Sequence, residues 1–181
     1  VDGVNYPLSA LFTVIATQNP VDLDSTHALP EAQLDRFLVS TRLGYPSMDE
    51  EVSLLTEERT RVTAMPAAVF SSDEIESLRA IIEQVFLHED LARYIVSLSR
   101  TTREDTRIRR GISPRGSLHL AQAAKAHALL NQRMQVLPDD IKILCHSVWG
   151  HRLHTTQGLE KDRDQVAEVL DSILASHPIP R

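Results

Sequence analysis

The chain has 181 residues, 42% of them hydrophobic and 4% aromatic, with a formal net charge of −6. That is enough apolar material for one core or two small ones, while the acidic balance argues against a nucleic-acid partner and the scarcity of rings against a base-stacking surface. No apolar run approaches the roughly 20 residues of a membrane-spanning helix, so a cytoplasmic location is expected; the single Cys145 excludes a disulfide framework and fits a reducing compartment.

In chain order, Val1-Asp2-Gly3-Val4 holds an Asp-Gly pair suited to a tight hairpin turn but only one residue ahead of it, the pattern of a chain cut from within a larger protein. Residues 11–16 (LFTVIA) are almost continuously apolar and too short for a typical helix, as expected of a parallel strand covered on both faces. Residues 30–37 read as a short helix with Pro30 at its first turn, and residues 38–43 as a second strand. Gly44-Tyr45-Pro46 then breaks the chain, and the pattern beyond it is helical.

Six helices are predicted there. The first starts at Ser47, with Glu50 completing a capping box, and carries Val52, Leu54 and Leu55. The second starts at Ser71 or Ser72 and aligns Ile75, Leu78, Ile82 and Val85; the third aligns Leu91, Tyr94, Ile95 and Leu98. The fourth opens with Ser113-Pro114 and runs through Leu118, Ala121 and Ala124, small residues that suit close packing. The fifth begins at Pro138 and presents Ile141, Leu144 and Val148; the sixth spans about 162–176. The expected fold is mainly α: a short αβ piece over residues 1–46, with one or two parallel strands and a short helix, then an all-helical domain over residues 47–181.

Ligands of open parallel sheets bind beyond the carboxyl ends of the strands, where Thr17-Gln18-Asn19 falls. The Asn19 amide could face a phosphate oxygen and a water, or Asn19-Pro20 could simply be a turn. Arg36 could present a guanidinium to a phosphate held elsewhere, or pair in solvent with a nearby carboxylate. Arg115 places a cation in the first turn of a helix, where the dipole disfavours it, so either an anion compensates or the side chain curls into solvent. The basic stretch Arg100, Arg103, Arg107, Arg109 and Arg110 fits a solvated loop or a partner contact. Cys145, His146, His151 and His154 lack metal-site spacing, and no metal ligands are assigned. None of the six glycines begins a Gly-Lys-Ser/Thr phosphate loop, so the chain does not cradle a triphosphate alone.

Val1 to Val4, FTVIATQNP at residues 12–20, LPEAQLDRF at 29–37, Gly44-Tyr45-Pro46 and GISPR at 111–115 together resemble, in order and spacing, the C-terminal part of MoxR-type AAA+ ATPases. The resemblance implies an αβα nucleotide-binding core with a helical lid, working as a ring, usually a hexamer, on ATP and magnesium. Asn19 would be the sensor 1 residue that helps position the attacking water, Arg36 the arginine finger that reaches the neighbouring subunit's ATP, and Arg115 the sensor 2 residue. It also implies chaperone-like remodelling or metal-cofactor insertion in partners, often proteins with von Willebrand factor A domains. The phosphate loop and magnesium ligands of that family would lie outside this chain. Leu137 departs from the family's usual Ser or Thr cap, which weakens a helix start by about 1 kcal/mol. The alternative is a non-catalytic helical protein-interaction module; DNA binding through the arginine cluster ranks last.

Overall fold

The computed structural model describes residues 3–18, 29–56, 67–156 and 162–179. Along them run α1 (Glu31–Leu34), α2 (Met48–Thr56), α3 (Ser72–Gln84), α4 (Glu89–Glu104), β1 (Ile108–Arg110), α5 (Pro114–Leu130), α6 (Pro138–Trp149), β2 (His154–Thr155) and α7 (Asp162–Ser176). The fold is mostly helical, as the patterning predicts.

Local chemistry sets the helix starts. Ser47 and Glu50 close a capping box at α2, the Ser47 N–H donating to Glu50 Oε2 at 2.7 Å and the Glu50 N–H to Ser47 Oγ at 3.4 Å. Ser71 and Glu74 do the same at α3, and Ser113 Oγ accepts from the Gly116 N–H at 3.2 Å to start α5. At α6, Leu137 offers no side-chain acceptor, but its N–H donates to Asp140 Oδ2 at 2.7 Å, so half of a capping box survives the departure noted in the sequence.

The core lies among α4 to α7. Leu91, Tyr94, Ile95 and Leu98 of α4 meet Leu120, Ala124 and Ala128 of α5, Ile141, Cys145, Val148 and Trp149 of α6, and Val166, Val169, Leu170 and Ile173 of α7 in one buried cluster. The small residues of α5 let it approach α6, its most extensive neighbour. Trp149 is fully buried, and its indole N–H donates to Gly116 O at 2.9 Å, a polar handle that locks α6 against the first turn of α5.

Two expectations change. Residues 11–16 and 38–43 are not strands: Phe12, Val14, Ile15, Leu38, Val39 and Leu43 are exposed. A parallel strand exists only by pairing with another strand, and among the described residues no strand pairs with these segments. The helical part is also not all-helical, because β1 pairs antiparallel with β2, Ile108 opposite Thr155 and Arg110 opposite His154. Strands of three and two residues carry no readable alternation.

Candidate functional site

Pro30 precedes α1 with φ near −54°, and the helix closes at once: the Asp35 N–H donates to Glu31 O and the Arg36 N–H to Gln33 O. This tight end leaves Asp35 and Phe37 partly buried and Arg36 between them exposed. One turn earlier, Glu31 accepts from Arg109 Nη2 at 2.5 Å and Arg110 Nη1 at 2.8 Å, tying α1 to β1. The Arg110 hydrogen bond leads in holding the Glu31 carboxyl below its ordinary range, against burial.

Asp35 is the hub. Its carboxylate accepts from Ser113 Oγ at 2.9 and 3.1 Å, lies 3.3 Å from Arg152 Nε, and lies 3.6 Å from Arg115 Nη1. Arg152 is 3% exposed, a burial that costs several kcal/mol for a bare charge. The fold compensates with acceptors. Arg152 donates to Phe37 O and Val148 O, to Leu38 O at 3.2 Å, to Asp35 O at 3.3 Å, and to His119 Nδ1 at 2.5 Å. Burial, then the Arg152 charge, pushes the His119 imidazole down, so it stays neutral at pH 7 and keeps a lone pair for that guanidinium. His151 donates from Nε2 to Phe37 O at 3.0 Å and is likewise pushed down by burial. The Ser40 N–H completes the joint by donating to Ser147 O at 2.8 Å.

The residues singled out from sequence fall differently. Asn19 lies outside the described residues. The Arg36 guanidinium makes no hydrogen bond or ion pair with a described residue, and the adjacent Asp35 is engaged elsewhere. Arg115 stands half exposed in the first turn of α5, with Asp35 as the carboxylate beside it. Sequence reasoning missed Asp35, His119, His151 and Arg152. The basic stretch is largely paired within the chain: Arg103 Nε donates to Ile112 O at 2.7 Å, Arg107 pairs with Asp105, and Arg109 and Arg110 hold Glu31.

Chemically, this surface offers guanidinium groups matched to phosphate oxygens and no activated nucleophile. Cys145 is fully buried and burial pushes its thiol up to about 12. His146 instead meets Asp171 at 2.8 Å, and no group of three metal-ligating side chains converges among the described residues. Arg115, half exposed, is free in geometry to meet an anionic oxygen. The described residues contain no Gly-Lys-Ser/Thr phosphate loop.

Comparison with known proteins gives the class first. Residues 1–39 match the ATPase family associated with various cellular activities (AAA), and residues 100–173 match the AAA lid domain. The chain is 36% identical over 181 residues to the uncharacterized protein YeaC of Bacillus subtilis, covering 99% of this chain and 57% of that one. It is 32% identical over 191 residues to Chaperone MoxR1 of Mycobacterium tuberculosis, covering 100% and 50%, and 31% identical over 188 residues to Protein MoxR of Paracoccus denitrificans, covering 92% and 56%. The crystal structure of a candidate ATPase from Cytophaga hutchinsonii aligns with a TM-score of 0.80 at 31% identity, over 97% of this chain and 56% of that one. The chain belongs to the MoxR-type AAA+ ATPases and corresponds to their C-terminal part. It spans about half the length of the curated relatives it matches.

Proposed function

We propose that this chain is the nucleotide-sensing part of an ATP-hydrolysing, chaperone-like remodelling machine, with residues 1–46 the end of the nucleotide-binding core and residues 47–181 the lid. Arg36 is the arginine finger offered to the ATP of the next subunit in a ring, Arg115 is the sensor 2 residue that answers to the γ-phosphate, and Asn19 is the sensor 1 residue that orients the attacking water. The observation that carries the reading is the turn after α1, where Asp35 is taken by Ser113, Arg115 and Arg152 while the guanidinium of Arg36 stands exposed and without a described partner. ATP with magnesium supplies the scissile phosphoanhydride bond; this chain contributes cations that stabilise the charge developing as that bond breaks. The 181-residue chain alone is inactive, because it has no phosphate loop. The whole protein assembles as a ring, of six by family resemblance, in the cytoplasm, and acts on a partner with a von Willebrand factor A domain, remodelling it or inserting a metal cofactor.

The test is Arg36→Ala in the full-length protein. ATP binding stays nearly intact, and turnover falls by roughly 10³ to 10⁵, the worth of a finger in other phosphoryl-transfer systems. A ring interface is heterologous, so mixing this variant with subunits that keep Arg36 but have a broken phosphate loop restores turnover. Wild-type turnover of Arg36→Ala makes the arginine a surface charge, and no recovery on mixing removes the role between subunits. No ATP turnover in the unmutated protein favours the non-catalytic interaction module.

A further inference from the structure

Arg115 is a cation at the wrong end of a helix. Positions near the start of α5 feel the positive end of the helix dipole, and the first turn of α5 contains no acidic residue of its own. The compensating carboxylate comes from Asp35, on a different element and 80 positions earlier in the chain.

The three contacts of Asp35 differ in how firmly they hold. Arg152 is buried with its side chain 1% exposed, and Ser113 makes a true hydrogen bond, its hydroxyl donating to Asp35 while its lone pair accepts the Gly116 N–H. Arg115 is held only as an ion pair at 3.6 Å and has its side chain 51% exposed. Arg115 can therefore leave for another anion without stranding the carboxylate, which keeps Ser113 and Arg152. The reverse does not hold, because among the described residues Asp35 is the carboxylate paired with Arg115.

Resting on the nucleotide reading above, we infer that Asp35 is a positioning residue for Arg115: it parks the guanidinium at the head of α5 in the nucleotide-free protein and yields it when a nucleotide phosphate arrives. Binding then exchanges one anion for another. The parking contact subtracts from nucleotide affinity by its own worth, a factor of about two to five for a pair this exposed.

The experiment is calorimetric binding of ADP and of a slowly hydrolysed ATP analogue to the full-length protein, in a cycle of Asp35→Asn, Arg115→Ala and the double variant. Asp35→Asn is expected to tighten binding two- to five-fold with Arg115 present and to change nothing in the Arg115→Ala background. Damage to the fold would weaken binding, and a general repulsion between Asp35 and nucleotide would tighten it equally in both backgrounds; either result overturns the inference. Asp35→Glu keeps the carboxylate and is expected to bind like the unmutated protein. If Asp35→Asn does not fold, the 13C resonance of the Asp35 carboxyl, assigned with Asp35→Glu, replaces it. That resonance must move on adding ADP to the unmutated protein and stay in place in Arg115→Ala, and movement in both or neither overturns the inference. An unmutated protein that binds neither nucleotide overturns the nucleotide reading, and this inference with it; binding with an intact cycle of equal effects sinks the role of Asp35 alone.

Discussion

Lowering the pH should weaken the fold through one identifiable carboxylate, Asp140. Its side chain is 2% exposed, and it accepts from Arg133 through two nitrogens at 2.8 and 2.6 Å, from the Leu137 N–H at 2.7 Å, and from His127 Nδ1 at 2.6 Å. A carboxylate only accepts, so His127 is the donor in that pair. Burial pushes this carboxyl up, but the hydrogen bonds from Arg133, Leu137 and His127 outweigh it and hold the group at about 2 instead of its ordinary 3.8. A gap of that size is worth about 2 kcal/mol. Because the folded value is the lower one, the contribution is complete above about pH 4.5 and is lost as pH falls toward 2, with about 1 kcal/mol gone by pH 3. Urea unfolding of the unmutated protein and of Asp140→Asn at pH 7, 5 and 3 measures it. The variant is less stable by about 2 to 4 kcal/mol at pH 7, since it strips the partner from Arg133, and the gap narrows by about 1 kcal/mol between pH 5 and pH 3. Parallel stabilities across that range would refute the reasoning.

Two further outcomes follow from the same geometry. Arg115→Ala in the full-length protein slows hydrolysis and blunts the nucleotide-dependent protection of α5 in hydrogen exchange; unchanged turnover with unchanged protection removes Arg115 from the site. At Gly111, an added Cβ would sit 2.6 Å from Thr102 O and 2.7 Å from Arg103 N, both main-chain atoms at the end of α4. Gly111→Ala therefore costs about 1 to 3 kcal/mol in unfolding free energy, and an unmoved denaturation midpoint contradicts that close approach.

Much of the helical architecture was legible because its signals are local. Ser47 with Glu50, Ser71 with Glu74, Ser113-Pro114 and Pro138 mark starts that the structure keeps, and the apolar stripe of the last helix gives its bounds. The two parallel strands expected from the sequence are not formed among the described residues: an apolar run reports a tendency to pair, and pairing needs a partner strand that the described residues do not supply. Arg115 could be singled out because its conflict with the helix dipole is visible from three residues of context. Arg152 could not. It is separated from the main-chain oxygens of residues 35, 37 and 38 by more than a hundred positions, and no periodicity marks a residue whose purpose is to gather distant carbonyls. The partnership of Asp35 with Ser113 is hidden for the same reason, and so is the use of Arg109 and Arg110 as a clamp on Glu31, where a run of arginines looks like a solvated loop.

The joint between the segment after α1 and the helical part is made mostly through peptide groups: Asp35 O, Phe37 O and Leu38 O accept from Arg152 and His151, and the Ser40 N–H donates to Ser147 O. A peptide group is the same whichever amino acid carries it, so mutational drift can rewrite the side chains of residues 38 to 40 without unfastening the joint. Arg152 has no such latitude. Lysine has one nitrogen on a flexible stem and cannot serve several carbonyls and an imidazole at fixed angles. The two sides of one contact are therefore constrained differently, one held by a single side chain and the other by main-chain groups that leave the side chains around the exposed Arg36 unconstrained by the joint.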